Sequence, residues 1–223
     1  MNRLIKTIIV IAALTVSGIA IAGPSYTFVD LGYLTGDAGD ERTDGLGVRG
    51  SFGFAGMWHV AGELNALEAN GGKDKNGQDI SGVTIYGGLH PAMTDNTDLV
   101  IDLGFDVFEA ETLAGTTGGD NTTDITAIFL RTGPRALLAG DKLELSAYVS
   151  VSIGESEPPG SQPKQDFTNV GLQVGGQYYF TPAISLGVEA EVNGSRSGPS
   201  GSSTSGGNDD LVRIFGRWSF GRR

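Results

Sequence analysis

A set of arginines and acids stands at even spacings along this chain. Asp102 and Asp106, Arg131 and Arg135, and Arg213 and Arg217 are each four apart, while Glu189 and Glu191 are two apart. In an extended chain, even spacing puts side chains on one face. Asp30, Arg49, Glu63 and Glu144 fall on matching faces of their own segments. A mixed-sign set on one enclosed face supports three kinds of chemistry. Opposite charges can pair into a structural network, because a desolvated charge without a partner is costly. They can line a polar passage that selects solutes. A carboxylate pair such as Asp102 and Asp106 can also divide acid and base roles in catalysis.

Other chemistries have thinner support. The chain has two histidines, His59 and His90, and no cysteine. That excludes a disulfide scaffold, a thiolate-held metal and a cysteine nucleophile. Asp37, Asp40, Glu41 and Asp44 cluster in GDAGDERTDG, but their spacing is not that of an EF-hand loop. They read as a solvated acidic loop, and no metal or cofactor is expected. A formal charge of -11 leaves no basic footprint for nucleic acid.

The elements that must position these charges are strands. In LGVRGSFGF, Leu46, Val48, Phe52 and Phe54 alternate with Gly47, Arg49, Ser51 and Gly53. This period of two marks a strand with one apolar face. The pattern recurs: Val29, Leu31 and Tyr33; Trp58, Val60 and Leu64 against His59 and Glu63; Val83, Ile85 and Leu89 against Thr84 and Tyr86. Leu99 to Val107 oppose Asp102 and Asp106, and Leu143 to Ile153 oppose Glu144 to Ser152. Val170 to Phe180 oppose Gln173 and Gln177, Ile184 to Val192 oppose Ser185, Glu189 and Glu191, and Val212 to Phe220 oppose Arg213 and Arg217. Ile128 and Leu130 oppose Arg131 and Arg135, with Phe129 breaking the polarity. About ten segments result, each near the ~9–11 residues that cross a bilayer at a tilt.

Connections of two kinds alternate along the chain. Short ones are expected at Ala55-Gly56-Met57, residues 90–96, residues 136–141 and Thr181-Pro182-Ala183. Long polar ones are expected at residues 35–44, 68–79, 112–124, 155–166 and 194–209. The last of these is a low-complexity Gly/Ser tract, expected to be disordered. Phe54, Trp58, Tyr178, Phe180, Trp218 and Phe220 share the apolar face and the short-turn end. Rings gather where hydrocarbon meets polar surroundings, so they read as an aromatic girdle. Residues 1–22 carry Arg3 and Lys6, an apolar run and Ala20-Ile21-Ala22, and read as a secretory signal peptide. Residues 23–223 then form one all-β domain, an antiparallel up-and-down transmembrane β-barrel whose apolar face meets lipid.

These features resemble bacterial outer-membrane β-barrels. VRIFGRWSF resembles their final strand, closing on Phe220, although Gly221-Arg222-Arg223 follows where that family usually stops. YTFVDLGYL, DGLGVRGSF and NTDLVIDLGF resemble a family of small ten-stranded Gram-negative surface barrels. The resemblance implies the cell outer membrane, with lipid and lipopolysaccharide around the belt and barrel-insertion machinery reading the last strand. Short turns would be periplasmic and long loops extracellular.

The function expected is a structural barrel or a narrow porin-like pore with a charged lumen. The alternative is a surface barrel that binds or adheres through its extracellular loops. A hydrolase or acyltransferase ranks third, since His59 and His90 fall at the short-turn end, away from surface substrates. The inward set expected is Asp30, Arg49, Glu63, Asp102, Asp106, Arg131, Arg135, Glu144, Glu189, Glu191, Arg213 and Arg217. Inward Gly45, Gly47, Gly53, Gly104, Gly171, Gly175 and Gly187 are expected to leave room for water among them. Bulge-free pairing about the Ala55-Gly56-Met57 turn sets Arg49 opposite Glu63, as an expected ion pair.

Overall fold

The computed structural model describes residues 24–38, 41–70, 78–112, 122–160, 163–197 and 209–220. The signal-peptide reading of residues 1–22 therefore lies outside the described residues, as does Asp40 of the acidic loop. Every regular element is a strand: β1 (Phe28–Ala38), β2 (Glu41–Phe54), β3 (Trp58–Asn70), β4 (Gln78–Leu89), β5 (Ala92–Thr94), β6 (Thr97–Thr112), β7 (Thr122–Leu138), β8 (Leu143–Glu157), β9 (Gln165–Tyr179), β10 (Ile184–Ser197) and β11 (Asp209–Ser219). Neighbours in sequence pair antiparallel, β1 pairs with β11, and β4 pairs with β6. The sheet thus closes into an all-β, up-and-down barrel of 10 strands. β5 is a short hairpin arm on β6, inside the connection read from sequence as a plain turn over residues 90–96.

Alternation places the two faces. Leu46, Leu103, Ile128, Ile153, Leu172 and Ile214 are exposed on the outside, while Arg49, Asp102, Phe129, Gln173 and Arg213 are buried within. A closed sheet has no free edge and only a narrow interior, so apolar residues cover its outer wall. Phe129, the residue that spoiled the polarity of its segment, turns inward and meets Tyr86 edge-on at 6.1 Å. The pairing of β7 with β8 lapses at Gly133 and Pro134, between Thr132↔Val149 and Arg135↔Ser146. Proline brings no N–H to a ladder.

Strands of 11 to 17 residues outrun the expected crossing length. Two of the expected connections shrink accordingly. The stretch over residues 35–44 is mostly strand, with Thr35↔Asp44 and Ala38↔Glu41 paired, so Asp37, Glu41 and Asp44 stand on a ladder and not in an open loop. The 136–141 turn begins later, because β7 runs to Leu138 and positive φ at Ala139, Gly140 and Asp141 makes the reversal. The Ala55-Gly56-Met57 turn stands as read: Ala55 (φ 49°) and Gly56 (φ 80°) reverse the chain and pair Phe54 with Trp58.

Candidate functional site

The inward charges meet at Asp30, which is wholly buried on β1. Register puts it between Arg217 of β11 and Arg49 of β2. Arg217 donates to both its oxygens, Nε at 2.6 Å and Nη2 at 2.8 Å. Arg49 Nε adds a third bond at 3.0 Å, then clamps Glu189 of β10 with both Nη atoms, at 3.1 and 3.0 Å. Two guanidiniums put three hydrogen bonds on one carboxylate and engage both its oxygens, the compensation that a buried acid requires.

The network continues in both directions. Glu189 accepts from Gln173 Nε2 at 2.6 Å, and Gln173 Oε1 accepts from Arg131 Nη1 at 3.2 Å. Arg131 donates to Asp102 from Nε at 3.0 Å and Nη2 at 2.6 Å, and His59 Nε2 lies 2.8 Å from the other Asp102 oxygen. On the far side Arg217 approaches Glu144 at 3.6 Å, and Glu144 accepts from Arg135 Nε at 2.7 Å and Tyr179 at 3.0 Å. Gln177 donates to the Tyr179 hydroxyl. The chain of bonds draws a residue from every barrel strand except β4.

One expected contact is absent. Arg49 and Glu63 do stand opposite each other in the β2–β3 register. Their ion pairs go elsewhere: Arg49 to Asp30 and Glu189, and Glu63 to Arg213 Nη1 at 2.9 Å. In a narrow barrel a long guanidinium reaches across the lumen as easily as along the wall, so cross-strand register does not choose its partner. Asp106 and Glu191 lie toward the long-loop end and have no arginine ion pair among the described residues; Thr84 bonds the first at 2.6 Å and Asn193 the second at 2.9 Å. They remain inward but lie beyond the arginine network.

Of the inward glycines, Gly47, Gly104 and Gly187 leave no space for water, whereas Gly175 lines the central cavity. A Cβ on Gly104 would sit 2.4 Å from the Phe129 ring, one on Gly187 2.5 Å from Phe215, and one on Gly47 2.7 Å from Arg213 Nη2. Each glycine is the socket for a large side chain opposite. The cavity left between Arg49, Arg131, Arg135, Glu144 and Glu189 is about 60 Å³, room for a few waters.

Sequence reasoning missed Tyr179, which continues the inward row of Gln173 and Gln177, and two further participants. Asp98 begins the same inward row as Asp102, four residues earlier, and could have been found by extending it. Tyr26 precedes β1, but it stands four residues before Asp30 on the same parity in YTFVDLGYL, and extending that inward row would have marked it. Both are buried, joined by a hydrogen bond from the Tyr26 hydroxyl to Asp98 at 3.1 Å. On the outer wall, Phe54, Trp58, Tyr178, Phe180 and Trp218 are exposed at the short-turn end, with Phe220 half-buried beside Trp218 at 5.7 Å. No group of three metal-ligating side chains occurs among the described residues.

The chain matches no protein-family model and no curated relative. Among solved structures it is similar to the translocator domain of the autotransporter NalP from Neisseria meningitidis, at 9% identity and TM-score 0.47, over 98% of this chain and 94% of that one. It is also similar to the NanC porin, at 11% identity and TM-score 0.45, over 86% of this chain and 98% of that one. A third is the outer-membrane protease OmpT of Escherichia coli, at 10% identity and TM-score 0.42, over 87% of this chain and 94% of that one. The barrel assignment itself rests on the strand pairing described above.

Proposed function

We propose that this chain is a Gram-negative outer-membrane barrel whose lumen is closed by its own ion pairs, a structural body without catalysis that presents its loop end at the cell surface. The observation that carries the reading is Asp30, wholly buried inside the short-turn half of the barrel and held by both Arg49 and Arg217. A solute would have to displace that cluster to pass. The apolar outer wall and the girdle support a seat in lipid, with lipopolysaccharide around the long-loop half. β11 is the segment offered to the insertion machinery. Export by residues 1–22 and exclusion of nucleic acid belong to the same reading. Recordings in planar bilayers test it: the folded protein should give no conductance steps at neutral pH, and a stable open level would refute closure.

A narrow porin-like pore is the second reading, favoured by the charged cavity of about 60 Å³ at mid-lumen. It calls for steps whose ion selectivity changes sign or size in Arg49→Gln. A surface-binding barrel is the third, and its test is attachment of purified protein to host or bacterial surfaces with the long loops shortened.

A further inference from the structure

The short-turn mouth of the barrel is crossed by the segment that precedes β1. Pro24, Ser25 and Tyr26 are buried there although they belong to no strand. Arg135 of β7 donates to the Ser25 carbonyl at 2.9 Å, and Ser25 Oγ to the Phe220 carbonyl at 3.1 Å. Ser51 of β2 donates to the Tyr26 carbonyl at 2.8 Å. With the Tyr26 hydroxyl on Asp98 of β6, the segment is tied to several sides of the opening.

The Tyr26 ring is the hub. His90, in the turn after β4, stacks on it with centroids 3.5 Å apart and planes 7° from parallel. His59 lies at 5.2 Å, and the Arg135 guanidinium at 4.5 Å from the same centroid. Each acid in reach is already engaged: Asp98 by Tyr26, Asp102 by His59 and Arg131, and Glu144 by Arg135 and Tyr179. Among the described residues His90 Nε2 is buried with no hydrogen-bond partner. An imidazolium is welcome on a bare tyrosine face. Here Arg135 already occupies that ring, and a proton on Nε2 would meet no acceptor.

We propose that residues 24–27 form a pH-released strap over the short-turn mouth, seated while His90 is neutral and let go when His90 is protonated. Only the side of the membrane on which the strap lies rests on the function proposed above. Burial first, then the electrostatic influence of the neighbouring His59 and Arg135 side chains, holds the seated His90 pKa down at about 4. Once released, it returns to about 6.5. Between those values the released state binds more protons, so falling pH favours release.

The chain has no cysteine, so Ser25→Cys supplies a single thiol. Its reaction with an impermeant thiol reagent is measured on protein folded in detergent. Rates are normalised to Met93→Cys, an exposed site in β5, with circular dichroism checking the sheet. From pH 7.5 to 4.5 the normalised rate should rise roughly tenfold or more. His90→Gln should flatten the response at the protected level, and Tyr26→Ala should label at both pH values. Equal protection at both pH values, full labelling already at pH 7.5, or a pH response that survives His90→Gln would each overturn the proposal. Detergent-folded protein needs neither a membrane address nor a closed lumen, so failure here is separate from failure of the closed-barrel reading.

Discussion

Arg49 and Glu63 face each other across β2 and β3, yet each takes its ion-pair partner from another strand: Arg49 from β1 and β10, Glu63 from β11. Adjacency in a ladder brings Cβ atoms to about 4.5–5.5 Å, but in a filled lumen the charge follows the shortest well-formed clamp. Double-mutant cycles of unfolding should therefore separate the pairs. Arg49→Ala with Asp30→Ala should couple by about 1–3 kcal/mol, and Arg49→Ala with Glu63→Ala by much less. Stronger coupling to Glu63 would show that register, and not the clamp, selects the partner.

The two faces predict opposite tolerance of charge. Leu103 and Val149 are exposed on the apolar wall. Arginine at either should cost about 2–4 kcal/mol in a bilayer. Ser150 is a poor lumen control despite facing inward, because it pairs with Arg131 and an arginine there would oppose a like charge. Ser156, inward near the long-loop end and opposite Ile125 and Gln165, is the better one. Ser156→Arg should cost less than either wall variant in urea unfolding from vesicles; equal costs would contradict the assignment of faces.

The glycine sockets give a packing test. Gly104 stands opposite Phe129 in the β6–β7 register, and an added Cβ would strike that ring. Gly104→Val should cost about 1–3 kcal/mol by overpacking. Trimming the ring in Phe129→Ala opens the space, so the double variant should lose less than the sum of the singles. Additive losses would mean that the two sites do not share a socket.

Most of the fold was legible because a barrel wall obeys one rule repeated along the chain. Leu46, Val48, Phe52 and Phe54 alternate with residues that cannot face lipid, and the turn at Ala55-Gly56 follows from keeping Phe54 and Trp58 on the same wall. The lumen was less legible for a physical reason. Its contacts join residues by reach and not by register, as with Arg49 and Glu189, which lie on strands that are not neighbours. Glycine spacing misled in the same way, since a missing side chain reads as a void until the Phe129 or Phe215 that fills it is placed. Tyr26 shares the parity of Asp30 in YTFVDLGYL, but its role was not legible because it acts through stacking on His90, a contact that no alternation encodes.

Orientation can be read with single thiols on intact cells. Ala183 lies in a short turn, and Ser202 in the connection between β10 and β11, outside the described residues. An impermeant reagent should label Ser202→Cys and spare Ala183→Cys. The reverse pattern would invert the barrel in the membrane and move the girdle of Trp58 and Trp218 to the outer surface.

The histidine at the mouth also predicts how stability depends on acidity. Burial, then the electrostatic influence of the neighbouring His59 and Arg135 side chains, depresses the His90 pKa to about 4 in the folded barrel, against about 6.5 in an unfolded chain. The unfolded chain therefore binds more protons through that window, and the His90 contribution to stability falls as pH drops from about 6.5 to about 4. It is fully present above the upper value. Unfolding midpoints in urea, taken for the wild type and for His90→Gln at pH 7.5, 6, 5 and 4.5, isolate this share from that of the lumen carboxylates. The two curves should run parallel above pH 6.5 and converge below it, because glutamine has no proton to gain. A constant separation across the whole range would show that His90 does not titrate differently in the folded barrel, and would remove the electrostatic basis for a loosened mouth in acid.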